Sequence, residues 1–156
     1  MAKVTVKKTV KAPLEQVWAS WDDFGNIYRF NPNLRSSRLL PESKASGIGA
    51  LRQCDMADGK NYIREKIIGY RDQKEIVIDI YEGTMPLKSA VATLSFLSPG
   101  SEHVVVKMEM DFKPKFGLLG ALMIPMMKPK FRQMLQALLD SNAAYVEKGK
   151  TVGLAT

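Results

Sequence analysis

Metal-ion and disulfide chemistry find almost no material here, because the 156 residues include one cysteine, Cys54, and one histidine, His103. An intramolecular disulfide cannot form, a three- or four-residue Cys/His metal site cannot be assembled, and a lone thiol suits a reducing compartment. No metal is expected. Nor do the two residues suit a nucleophile and its base, since His103 follows the polar turn Pro99-Gly100-Ser101 and belongs to a different strand from Cys54. A glycine-rich phosphate loop is also missing: Gly47-Ile48-Gly49 is a lone fragment at a strand start and opens no helix.

Long apolar runs are equally scarce. The longest, Gly117 to Met127, is interrupted by Pro125 and falls short of the roughly 20 residues a spanning helix needs. Met1-Ala2-Lys3 leads straight into alternating Val4, Val6 and Val10, without the apolar core and cleavage pattern of a secretory signal, so a cytoplasmic location is expected. No repeat, linker or low-complexity segment divides the chain, and one domain over residues 1–156 is the expectation. Acidic residues are the minority, 16 against 23 Lys and Arg, for a net charge of +7. That balance favours acidic partners in general. The basic residues are nevertheless scattered, with no helix-turn-helix pattern and no basic stripe with interleaved aromatics, so nucleic acid is not expected as a partner.

Hydrophobic patterning is what the chain does have. Residues 3–11 alternate as a strand. Pro13-Leu14-Glu15 then opens a helix with proline in its first turn, and Leu14, Val17, Trp18 and Trp21 fall at i, i+3, i+4 and i+7 on one buried stripe. A second short helix or turn spans Phe24 to Phe30 and stops at Asn31-Pro32-Asn33. Strands follow near residues 34–40, 48–56, 61–70, 74–82, 87–97 and 102–112, with clear hairpin turns at Asp58-Gly59 and Pro99-Gly100. In the last strand Val104, Val106, Met108, Met110 and Phe112 share one face and Lys107, Glu109 and Asp111 the other.

Beyond Pro114 the period becomes helical. Met127, Phe131, Met134, Leu135, Leu138, Tyr145 and Val146 form an apolar stripe, Gly149 is a natural stop, and Pro125 and Pro129 predict an irregular or kinked lead-in from Gly117. This order predicts an α+β helix-grip fold: a curved antiparallel sheet of about seven strands wrapped around a long C-terminal helix, with two short helices after the first strand. An apolar pocket between sheet and helix is a natural outcome of that shape.

In this order and spacing the residues resemble the START-like, or SRPBCC, superfamily, which includes birch-pollen-type allergens and bacterial polyketide cyclase/dehydrase-like proteins. The resemblance covers nearly the whole chain. It rests on Ala12-Pro13-Leu14-Glu15-Gln16-Val17-Trp18, Asp23-Phe24-Gly25-Asn26, Phe30-Asn31-Pro32, Gly47-Ile48-Gly49-Ala50-Leu51-Arg52, Gly59, Glu65 and Tyr70-Arg71-Asp72. Phe30 stands where the bacterial family usually has tryptophan. The resemblance implies binding of lipids, sterols, polyketides, hormones or quinones, and in some members catalysis; fold alone does not choose among them.

Strand parity supplies the candidate site. Arg52 shares it with Ala50 and Cys54, and Glu65 with Ile63 and Ile67, so both side chains point inward. A buried arginine needs a carboxylate partner. The pair either orients the polar end of a ligand or is a self-satisfied internal ion pair. Glu82, in phase with Ile76, Ile78 and Ile80, is placed at the pocket mouth or at a solvated strand end, and Tyr28 offers a hydroxyl or a rim contact. Met108, Met110, Met127, Phe131 and Met134 line the pocket or pack the core.

Three functions are compatible with this reading. The first is binding or carriage of a small apolar molecule (a lipid, isoprenoid, quinone or polyketide-like aromatic) with Arg52 and Glu65 at its polar group and no cofactor. The second is a cyclase, dehydratase or isomerase with Glu65 as general acid/base, although a carboxylate paired tightly to arginine is a weak base. The third is a transient membrane contact, or a protein contact, made by residues 117–130 with their flanking lysines.

Overall fold

Alternation in the last strand sets the inside of the molecule, since Val104, Val106, Met108, Met110 and Phe112 are all buried along β7 (Val104–Pro114). The computed structural model describes residues 1–152, so the last four positions of the expected domain lie outside the described residues. Around β7 the sheet is built from β1 (Ala2–Val10), β2 (Leu34–Leu39), β3 (Leu51–Met56), β4 (Tyr62–Arg71), β5 (Glu75–Gly83) and β6 (Leu87–Leu97). All neighbours are antiparallel in the order β1-β7-β6-β5-β4-β3-β2. The first and last strands thus pair, Val4 opposite Met110 and Val10 opposite Val104.

Helix α1 (Leu14–Asp22) begins where Pro13 fixes an extended φ of −62° and its carbonyl accepts from the Gln16 and Val17 N–H groups. Val17, Trp18 and Trp21 are its buried face, as the spacing predicts. A 3₁₀ helix follows over Phe24–Arg29. Its three-residue turn aligns Phe24, Ile27 and Phe30 toward the core and leaves Tyr28 one position off that line.

Helix α2 (Gly117–Lys148) corrects the expected irregular lead-in, because it runs unbroken through Pro125 and Pro129. Each proline removes one helical N–H, which orphans the carbonyls of Ala121 and Pro125. Both residues are exposed, so water can satisfy those carbonyls. The helix ends where Gly149, at φ 68°, takes the left-handed conformation and donates to the Tyr145 carbonyl.

The grip of sheet on helix is partly polar. Asn142, on the inner face of α2, is 1% exposed; its Oδ1 accepts from the Trp21 indole N–H at 3.0 Å and its Nδ2 donates to Ser20 Oγ at 3.0 Å. Neither Asn142 nor the adjoining buried Leu139 was among the residues expected on the stripe. Asn142→Ala is expected to destabilise the fold by about 2–3 kcal/mol, because a buried indole N–H loses its acceptor as a small void opens. Urea unfolding followed by tryptophan fluorescence measures it.

Edge-to-face aromatic contacts complete the far end of the core, with Trp18 at 5.4 Å from Tyr70 and 5.1 Å from Phe96. Phe30 lies 5.0 Å from Trp21 and 5.3 Å from Tyr145. Among the described residues no helix is long and apolar enough to cross a membrane.

Candidate functional site

The core is not filled throughout. A cavity of about 120 Å³ lies between the concave face of the sheet, α2 and the turn at Asn31-Pro32-Asn33. Trp18 does not fill it, being packed against Tyr70 and Phe96. Phe131 forms part of the wall, held 4.9 Å from Phe112 in an edge contact.

Arg52 and Glu65, 3% and 7% exposed, both line this cavity. Strands β3 and β4 place them directly opposite each other, and Arg52 Nε donates to Glu65 Oε1 at 2.8 Å. The guanidinium also donates through Nη1 to the Phe24 carbonyl at 3.0 Å. Its carbon stacks 3.8 Å from the centre of the Phe24 ring. Cys54, next along the inner face of β3, donates its thiol to the same Glu65 Oε1 at 3.3 Å. None of the hydrogen bonds among the described residues engages Arg52 Nη2 or Glu65 Oε2. The Nη2 amino group and the Oε2 oxygen are therefore left without a protein partner beside the cavity that both residues line.

Burial opposes the charge on Arg52, but the neighbouring Glu65 carboxylate more than offsets it and raises the guanidinium above its ordinary value. Cys54 responds in the opposite sense. Burial first, and then the Glu65 charge, push its thiol well above the usual range, and the Arg52 charge opposes them without reversing the shift. Held protonated, Cys54 stabilises the fold fully below the ordinary thiol range, and that contribution is lost as pH rises toward the raised value. It is a buried hydrogen-bond donor rather than a thiolate nucleophile.

Met108, Met110, Phe131 and Met134 line the cavity. Met127 does not. It sits about one turn before Phe131 and lines an outer groove of about 370 Å³, beside Met85, Phe116 and Met126. Glu82 is at the solvated strand end, the second of the two places expected for it. Arg64 pairs with Glu82 while Glu65 pairs with Ile80, so Tyr81 is an extra residue that turns Glu82 to the outer face. There Glu82 meets Arg64 at 3.3 Å and the Tyr62 hydroxyl at 3.2 Å. Tyr28 also lies off the cavity: its 3₁₀ turn points Ile27 inward, and the Tyr28 N–H donates to Ser37 Oγ.

Sequence reasoning missed Asn31, Asn33, Trp21 and Met85 as wall residues. Asn33 Nδ2 donates to the Met134 carbonyl and its N–H to Asn31 Oδ1, both at 2.9 Å, which ties the turn to α2. Two amides flanking Pro32 were the available signal. Met85 carried none, because it follows Gly83-Thr84 in an ordinary strand connection. Among the described residues no three His, Cys, Asp or Glu side chains converge as metal ligands.

Comparison with known proteins gives the arrangement its setting. The sequence matches the profile of the family described as polyketide cyclase/dehydrase and lipid transport over residues 1–147. No curated protein matches the chain. Among solved structures it is similar to the protein XoxI from Bacillus cereus, with TM-score 0.78, 18% identity, and 95% of this chain and 97% of that one covered. A START superfamily protein from Mycobacterium smegmatis gives TM-score 0.78 at 16% identity, covering 95% and 99% of the two chains. The Zhui aromatase/cyclase from Streptomyces sp. R1128 gives 0.81 at 13% identity, covering 94% of each. At such identities the likeness is one of fold, while the profile match takes in every strand of the sheet and nearly all of the helix it grips. The chain is therefore a member of the polyketide cyclase/dehydrase and lipid-transport family.

Proposed function

We propose that the protein binds and carries a small, uncharged, largely apolar molecule bearing a hydroxyl or carbonyl group. The observation that carries this reading is the Arg52–Glu65 pair lining a cavity whose other walls are mostly aliphatic, aromatic and thioether groups, with the Asn31 and Asn33 amides and the Cys54 thiol the other polar groups among them. Because the pair neutralises itself, a ligand carboxylate would meet the Glu65 charge and a ligand cation would meet Arg52. A neutral oxygen can accept from Arg52 Nη2, and a hydroxyl can in addition donate to Glu65 Oε2.

Size narrows the class further. About 120 Å³ is comparable to cavities that hold a single benzene-sized ring. A quinone-like, phenolic or isoprenoid head group fits such a space. A longer chain would leave past Met85 and Phe131, which line both the cavity and the outer groove. Thioether side chains such as Met85 and Met134 can rearrange to let it pass. Carriage is favoured over turnover because Glu65 Oε1 already accepts from Arg52 and Cys54, which suits anchoring better than proton transfer.

Native mass spectrometry of the purified protein, followed by denaturing extraction, tests the reading. One neutral apolar molecule per chain is the expected result. A mass equal to that of the bare chain, together with failure of apolar probe dyes to bind, would overturn it.

A further inference from the structure

The first four turns of α2 are apolar on both sides, and only one side is used by the fold. Gly120, Ile124, Met127 and Phe131 face inward. Leu118, Leu119, Leu122 and Met126 face out and are 87%, 71%, 76% and 73% exposed. Phe116, directly before the helix, is 73% exposed and holds a left-handed φ of 72°, a conformation unfavourable for a bulky side chain. The turn is fixed from beneath. A Cβ on Gly120 would lie 1.9 Å from the Lys115 carbonyl oxygen, so only glycine permits the helix to start there.

Five large apolar side chains in one surface patch call for a covering partner, and charge identifies it. Lys113 and Lys115 precede the patch, Lys128 and Lys130 follow it, and no acidic residue occurs from Phe112 through Leu139. A second copy of the chain would bring these lysines against their own counterparts. An anionic lipid surface instead meets both features, with headgroups for the lysines and acyl chains for the leucines.

We propose that Phe116 and the outer face of Gly117–Lys130 form a docking surface for an anionic bilayer. Leu118, Leu119, Leu122 and Met126 enter the acyl boundary while the four lysines stay at headgroup level. The assignment stands apart from the identity, or even the presence, of a cavity ligand.

Sedimentation of the full chain with vesicles of phosphatidylcholine alone, or of phosphatidylcholine mixed with phosphatidylglycerol, tests it. Binding to the mixed vesicles should be at least about tenfold tighter than to the zwitterionic ones and should weaken as salt rises. Leu118→Ser with Leu122→Ser, and separately Lys128→Gln with Lys130→Gln, should each weaken it by about tenfold or more while the circular dichroism spectrum is unchanged. Leu118, Leu122 and Lys130 are exposed and Lys128 is half-buried, and the unchanged spectrum separates loss of vesicle contact from loss of fold. Absence of binding to either vesicle would overturn the proposal. So would vesicle binding that the leucine substitutions leave intact, which is surface adsorption of a basic protein, and self-association abolished by those substitutions without vesicle binding, which assigns the patch to a second copy.

Discussion

Arg52→Leu is expected to lower unfolding stability by about 3–5 kcal/mol, because it strands the Glu65 carboxylate in the interior without its partner. The Glu65 side chain is only 9% exposed, and its remaining donor is the Cys54 thiol at 3.3 Å. Replacing both members, Arg52→Met with Glu65→Leu, removes the buried charges together and should return most of that loss. Urea titrations of the three proteins give the comparison. The function assigned to the pair makes a second demand on the double variant. It should bind an aromatic hydrocarbon as tightly as the parent does, yet bind the hydroxylated form of that ring at least about tenfold more weakly. Equal loss of both probes would mean that the pair shapes the cavity rather than recognising an oxygen.

Ala92→Leu should nearly abolish ligand binding, by about 100-fold, with folding retained. Ala92 lines the cavity from β6, paired between Ile78 on β5 and Met110 on β7. Three added carbons would occupy space that the native side chains leave empty. Their burial contributes up to about 2 kcal/mol of stability if they fit, whereas overpacking a filled core costs about 1–3 kcal/mol. Titration with an apolar dye and urea unfolding therefore test the same space independently. Undiminished dye binding would place the ligand elsewhere, and a marked loss of stability would show that the space beside Ala92 is closed.

The fold was legible because the strands alternate so cleanly. Inward Arg52 and Glu65 follow from parity alone, since β3 and the first half of β4 run without irregularity. Parity failed at Glu82 for the converse reason. The bulge at Tyr81 shifts the register by one residue, and no glycine or proline within β5 before Gly83 announces it. A second register shift, between Ile67 and Gly69, lets Tyr70 point back to Trp18. Asn142 was invisible because a polar residue in a helical stripe reads as exposure, and only the distant Trp21 indole reverses that reading. The prolines of α2 misled in the same way: their cost depends on whether the carbonyls they orphan face water, which periodicity does not reveal. Met85 belongs to the site through the path of a connection, and composition says nothing about such a path.

The pairing of β1 with β7 bears on synthesis. Val4 finds Met110, and Ala2 finds Phe112, across almost the full separation the sheet allows. At about 5–20 residues per second, a ribosome needs roughly 5–20 s to make the intervening chain. Until then the N-terminal strand has no neighbour, and α2, which packs on that same strand, is not yet made. The sheet must therefore grow from its local hairpins and add its first-made strand last, a high-contact-order closure that sets the pace of folding.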